Sequence, residues 1–369
     1  MQNEKIKPKI LFLNVNNPGV VFYRMYQFAQ KISEFNLAHC KMFPDWLPER
    51  LLMTDWEHHL DEYMSVLEEL VKWADFVICQ YINSHIGLSV VEAIRDLKPC
   101  YVEIDDYISQ VPYTSIAYDT NKPGEAQDIW SKRQVIESHG VITTTEYLRD
   151  YYLRWNQNVK VIPNCIDFDL WDMYKSHSNE KVRIGWIGGA NHDGDLKLIK
   201  NVLYEILDKY PQAEVYIVSY PPPEWKAYKN LHLINKWATI DKYSKMMKEL
   251  SFDIGIAPLR DNYFNRGKSN LKYLEYSACH IPTVASNVES FKNGNFQGFL
   301  CNTDEEWFNS LATLIANQDL RLQMGWNGYY DVKENFNLNI IARRYFNFIQ
   351  EKLEWQYGQM CHHQQHQLG

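Results

Sequence analysis

A chain of 369 residues is long enough for two domains of ordinary size, each with a core of its own. Its 46% hydrophobic and 23% charged residues are those of a globular protein, and a formal net charge of −8 excludes a globally basic surface for nucleic acid or anionic membrane. Seven cysteines, odd in number and without a C-x-x-C pair, fit reduced thiols in a cytoplasmic protein, and no apolar run has membrane-spanning length, so stable membrane insertion is not expected.

In chain order, residues 9–15 (KILFLNV) read as a first strand that runs into Asn16-Asn17-Pro18-Gly19 and a helix from Val20 to Phe35. Strand, glycine turn and helix make the opening of a Rossmann-like half, but no G-x-G-x-x-G accompanies it. Residues 44–72 read as helical; the adjacent His58 and His59 lack the i,i+3 or i,i+4 spacing of a chelating pair. A strand over 75–81 and a helix over 86–97 lead to Pro99–Ile104 and then to Asp105 and Asp106, two carboxylates at the C-terminal end of a predicted parallel strand, where open α/β sheets place their ligands. Three roles stay open for that pair: contact with a hydroxyl of a bound molecule, metal binding, or shaping of a loop. No third ligand is spaced to help, so no metal site is assigned. Residues 107–130, rich in Tyr, Pro and Gly, read as a long irregular loop and a candidate lid. A strand at 139–142, a helix over 146–155 with Thr143 and Glu146 at capping-box spacing, and a strand at 159–162 complete this half at Pro163-Asn164-Cys165-Ile166-Asp167.

Residues 168–181 are polar and read as an interdomain linker, after which the pattern restarts. A strand over 182–187 enters Gly188-Gly189-Ala190-Asn191-His192-Asp193-Gly194-Asp195, with Asp195 suited to cap a helix over 196–209. The glycines allow backbone to approach a diphosphate closely, and His192 is a candidate to face it. Strands at 213–219 and 231–235 and a helix over 241–250 follow. Residues 252–286 then read as strand (252–259), loop, helix (269–279) and strand (281–285). On that helix Lys268, Lys272 and Glu275 share one side, and Arg260, Arg266 and Lys268 precede its N-terminus, which favours phosphate through free N–H groups and a partial positive charge. A strand at 298–301, a helix over 304–317 and an amphipathic helix over 339–355 end the chain, followed by a polar histidine-containing tail.

The segment Lys268-Ser269-x-Leu271-Lys272-x-x-Glu275-Tyr276, with Asp253, Pro258, Pro282, Val284, Ala285 and Ser286 around it, resembles the donor-nucleotide site of GT-B glycosyltransferases, specifically the retaining family 4 group of bacterial and phage type. Gly19, Tyr23 and Arg24 resemble a cleft-facing glycine and Tyr-Arg pattern of the same enzymes, and Pro163-Asn164-Cys165-Ile166-Asp167 resembles their domain-closing turn, with Cys165 in place of glycine and Asn164 able to tolerate a left-handed backbone. Many members carry two glutamates eight positions apart; Glu275 matches the second and Gly267 stands where the first would be.

The resemblance implies an α/β architecture of two Rossmann-like domains facing a cleft: residues 1–170 for the acceptor, 182–335 for the nucleotide-sugar, a C-terminal helix over 336–358 crossing back to the first domain, and a tail over 359–369. It implies transfer of a sugar with retention from a UDP- or GDP-type donor, a substrate and not a cofactor, to a hydroxyl on a glycan or lipid-linked glycan, without metal. Catalysis would fall to Arg266, Lys268 and Asp106; Gly188, Gly189, His192, Arg266, Lys268, Ser269, Asn270, Leu271 and Glu275 would hold the nucleotide-sugar, and Gly19, Tyr23, Arg24, Asp105 and Asp106 would line the acceptor side. Alternatives are glycosylation of hydroxymethylated bases in phage DNA, a nucleotide-sugar epimerase, and a non-catalytic nucleotide-sugar-binding scaffold.

Overall fold

The computed structural model describes residues 7–14, 18–44, 60–113, 115, 118–119, 122–171, 180–189, 192–222, 224–292 and 294–367. It divides into two compact units: 1–105, 126–163 and 338–369 form the first, and 106–125 with 164–337 the second. The division by sequence placed 1–170 in one domain, whereas 106–125 and 164–170 belong to the second unit.

The first unit is built on β1 (Lys9–Leu13), β2 (His39–Phe43), β3 (Phe76–Gln80), β4 (Cys100–Glu103), β5 (Gly140–Thr143) and β6 (Val159–Val161), all parallel in the order β2-β1-β3-β4-β5-β6. Strands buried on both faces read as continuous apolar runs, which is why β1, β3, β4 and β5 are visible in the sequence. In contrast β2, HCKMF at the sheet edge, is partly exposed and has no such run; the sequence reading passed over it. Leu11, Val71, Val77, Val91, Ile94 and Val102 share one core on a face of this sheet. The helix Leu338–Gln367 belongs to the same unit, where Tyr345 meets Phe28 edge-on at 5.1 Å and Phe348 meets Tyr101 at 5.5 Å.

The second unit carries β7 (Val182–Gly188), β8 (Ala213–Ser219), β9 (Leu231–Ile234), β10 (Ile254–Ala257), β11 (Thr283–Ser286) and β12 (Phe299–Cys301), parallel in the order β12-β11-β10-β7-β8-β9. One core, with Trp186, Leu203, Ile217 and Leu311, and another, with Phe252, Tyr273, Leu274 and Tyr276, take up the apolar side chains of this unit.

Several local expectations change. The predicted helix 196–209 is broken into Asp193–Leu196, a 3-10 turn Lys197–Ile199 and Lys200–Lys209, and Ile199 stands at the N-cap of the last piece, not Asp195. Thr145 caps the helix Glu146–Tyr152 by accepting from the Leu148 N–H, while the Thr143 hydroxyl donates to the Ile104 carbonyl. The loop expected over 107–130 contains a 3-10 turn, Ile108–Gln110, and gives way to a helix at Ala126. Among the described non-glycine residues, positive φ occurs at Asn36, Ser219, Asn230, Ser251 and His280, so Asn164 does not use the left-handed backbone. A helix over Gln318–Asn335 was not foreseen, and the last helix continues through Gln367, into the expected tail. His58 and His59 lie outside the described residues.

Candidate functional site

In the second unit the strand order reverses at β7, which has β10 on one side and β8 on the other; chain connections leave its two sides in opposite directions and open a crevice beyond the carboxyl ends of the strands. The two segments that border this crevice leave β7 after Gly188 and β10 after Ala257, the second with a short helix, Tyr263–Gly267, within it. Asp195, only 5% exposed, joins them. One of its carboxylate oxygens accepts from the Arg260 N–H (2.9 Å) and from Asn265 Nδ2 (3.1 Å), and the other lies 3.0 Å from His192 Nδ1.

Gly188 ends β7 at a place where a Cβ would stand 2.6 Å from the Trp186 ring and 3.2 Å from Lys272 Nζ; glycine is what lets Lys272 lie across the strand end. There the ammonium donates to the Ile187 carbonyl and sits 5.2 Å from the Trp186 ring centroid. Burial holds the Lys272 pKa below its ordinary value; Glu275 and Asp195 oppose that fall and Lys268 adds to it. Gly189, the next residue, has the Trp237 ring 3.5 Å from where its Cβ would be.

The helix Leu271–Ala278 starts at Asn270, which makes no side-chain cap. Lys268, 21% exposed, stands just before it, 4.6 Å over the Phe264 ring and 3.9 Å from the Asp106 carboxylate, so Asp106 lies on the donor-loop side, in the second unit, and not with the acceptor residues of the first. Ser269 accepts at Oγ from Asn164 Nδ2 (2.7 Å). Glu275 is buried to 4% and accepts from the Tyr243 hydroxyl at 3.3 Å; burial, and then the Glu275 charge, push the Tyr243 pKa far up. Leu271 packs partly buried against the core beneath. Arg266 differs from its neighbours. Its guanidinium grips Asp261 with two bonds, 2.6 and 2.9 Å, and the Arg266 hydrogen bond draws the Asp261 pKa down.

In the first unit, Gly19 and Tyr23 lie on the helical segment Pro18–Glu34, which is a π-helix over Phe22–Tyr26. Arg24 is 1% exposed, and the structure places it inside the unit: Nε donates to Glu103 Oε1 at 2.6 Å and Nη1 to the Ile162 carbonyl at 2.8 Å. Burial works against its charged form, but the Glu103 carboxylate outweighs that and the Arg24 pKa is raised. Asp105, half-buried at the end of β4, accepts at its backbone carbonyl from Thr144 Oγ1 (3.3 Å) and adds to the field on Arg24.

The second unit thus brings Gly188, Gly189, His192, Lys268, Ser269, Asn270, Leu271 and Glu275 around one crevice, while Gly19, Tyr23, Arg24 and Asp105 belong to the first unit. Sequence reasoning named Asp195 only as a cap and gave no role to Asn265 or Tyr243; a buried aspartate beside a glycine turn was the available signal for the first, and nothing in the spacing pointed to the others. Among the described residues no cluster of three or more His, Cys, Asp or Glu side chains suits a metal ion, and no helix is long and apolar enough to cross a membrane.

No protein-family model matches the chain, and no curated protein matches it in sequence. Solved structures do match. A sucrose-phosphate synthase from Thermosynechococcus elongatus superposes with a TM-score of 0.66 at 13% identity, over 94% of this chain and 100% of that one. The Anabaena protein HepE in complex with UDP-glucose gives 0.58 at 13% identity, over 93% and 100%. A Listeria monocytogenes protein described as a UDP-N-acetylglucosamine 2-epimerase gives 0.55 at 11%, over 95% and 97%. At such identities the likeness speaks for architecture alone: two parallel six-stranded α/β sheets in the fold of the GT-B glycosyltransferases.

Proposed function

We propose that the chain is a glycosyltransferase that moves a sugar from a nucleoside diphosphate sugar, of UDP or GDP type, to a hydroxyl-bearing acceptor. One observation carries the proposal. Lys268, Lys272 and the N-terminus of the helix Leu271–Ala278 converge beyond the carboxyl ends of β7 and β10, at the reversal of strand order. Two cations and a helix N-terminus suit a diphosphate. They suit it more as the glycosidic bond breaks, because negative charge then grows on the leaving group and a preorganised cation stabilises the transition state more than the ground state. Arg266 is proposed as a further cation of this site, one that must release Asp261 to reach the diphosphate. Glu275, a buried acceptor on the same helix as Lys272, is assigned to the ribose or sugar hydroxyls, and Ser269 and Asn270 to the phosphates.

Asp105, in the first unit, is assigned to the acceptor hydroxyl, and Asp106, beside Lys268 in the second, to the reacting centre; Arg24, enclosed with Glu103, holds the end of β4 from within. A glycan or lipid-linked glycan is the proposed acceptor, transfer is proposed to proceed with retention and without metal, and the setting is cytoplasmic. The Listeria neighbour supports a second reading, a nucleotide-sugar 2-epimerase, which needs the same donor crevice and no acceptor. Titration calorimetry with UDP, GDP and UDP-glucose tests the shared premise: one nucleotide and its sugar should bind, and failure of all three ends both readings. Product analysis with EDTA present then separates them, since a transferase consumes donor faster when acceptor is added and an epimerase does not.

A further inference from the structure

His192 is held in a way that the diphosphate cradle does not require. Its backbone N–H donates to the Gly189 carbonyl at 3.1 Å, closing the glycine turn, and its Nδ1 lies 3.0 Å from Asp195 Oδ2. The other Asp195 oxygen is already engaged by Arg260 N–H and Asn265 Nδ2. A carboxylate oxygen accepts, so facing Asp195 Oδ2 it is Nδ1 of His192 that carries the proton. In the neutral ring Nε2 is then a lone-pair acceptor. The side chain is 20% exposed and, among the described residues, Nε2 has no hydrogen-bond partner. The ring stands edge-on to Trp186, 6.0 Å between centroids. The charged groups facing it are Asp195 from its own turn and Lys268 and Lys272 from across the crevice, with the Arg260 guanidinium against Gly194. Burial and the two lysines disfavour the imidazolium, so the neutral ring is the resting form despite Asp195.

We propose that Asp195 locks His192 in the Nδ1–H tautomer so that Nε2 accepts a hydrogen bond from a hydroxyl of the donor's sugar, making the pair a determinant of sugar recognition separate from the phosphate cradle. The inference rests on the donor-site reading above. Lone pair and phosphate oxygen repel each other, so a neutral acceptor amid two lysines selects a hydroxyl and leaves the phosphates to the cations.

Asp195→Asn is nearly isosteric. Its amide oxygen keeps the bonds from Arg260 and Asn265, while its NH2 donates to Nδ1 and reverses the tautomer, which turns Nε2 from acceptor into donor. Two-bond 1H–15N correlation spectra should show His192 as Nδ1–H in the wild type and Nε2–H in Asp195→Asn. In calorimetry with UDP and UDP-glucose as probes, Asp195→Asn should weaken UDP-glucose about tenfold and leave UDP within about twofold. His192→Phe, which keeps an aromatic ring and removes the acceptor, should do the same and covers the case in which Asp195→Asn does not fold. An Nε2–H wild type, or equal losses for UDP and UDP-glucose in both variants, overturns the proposal. If the wild type binds neither probe nor GDP, the donor-site reading fails, and the spectra still decide the tautomer lock.

Discussion

A buried charge is interpreted correctly only when its partner is known, and Arg24 shows this at the scale of one residue. Seventy-nine positions separate it from Glu103, and no spacing rule connects them; the pair exists because the π-helix Phe22–Tyr26 and the end of β4 meet inside the first unit. Removing one member leaves the other charge enclosed, so Glu103→Ala should cost about 3–5 kcal/mol in urea unfolding, whereas the double change Arg24→Met with Glu103→Leu should recover most of that loss. Glu275 poses the opposite question. Its position was legible from the sequence as one side of a helix shared with Lys272, but its burial and its bond from Tyr243 were not. If it holds donor hydroxyls, Glu275→Ala should raise the donor KM at least tenfold, about 1.4 kcal/mol; an unchanged KM in steady-state assays with UDP-glucose would leave it as a structural partner of Tyr243.

Among the elements, the fully buried strands are the plainest in the sequence. Strand β10, enclosed on both faces, stands out as an apolar run and β7 nearly so, and the edge strand β2 does not. The helix Gln318–Asn335 escaped for a different reason: its buried positions include Gly325, Gly328 and Asp331, so no apolar stripe marks it. Its glycines are what bring it close to the rest of the unit. A Cβ on Gly325 would stand 2.1 Å from the His280 backbone carbonyl oxygen, an atom that cannot swing aside, and one on Gly328 would stand 2.7 Å from Ser277 Oγ. Gly325→Ala should therefore force this helix away from Leu271–Ala278 and His280, costing about 1–3 kcal/mol and lowering the Tm by calorimetry. Gly328→Ala should cost less, because the serine hydroxyl can turn away.

For the molecule as a whole, two histidines set a stability slope near neutral pH. His192 and His139 both have pKa values lowered from 6.5, chiefly by burial, and Nδ1 of His139 accepts from the Cys100 N–H, a bond that only an unprotonated nitrogen can receive. Between the lowered folded pKa and 6.5 the unfolded chain binds more protons, so stability rises with pH across that window and is lost as pH falls through it. The urea midpoint should drop from about pH 7.5 to about pH 5.5, and His192→Gln should flatten the slope. A midpoint that rises on acidification would contradict the assignment of neutral rings.

Taken by itself, the sequence was enough to establish two successive α/β halves, the glycine turn after the seventh strand and the cationic segment before Leu271, because all three are written in neighbouring residues as apolar runs, turn residues and helical spacing. Tertiary structure alone decided that the strand order reverses at β7, that 106–125 joins the second unit and sets Asp106 beside Lys268, and that Asp195 links His192 to the loop after β10. Each of these is a meeting of groups distant along the chain. Such meetings depend on how helices and strands pack, and packing leaves no periodic mark in the residues that it brings together.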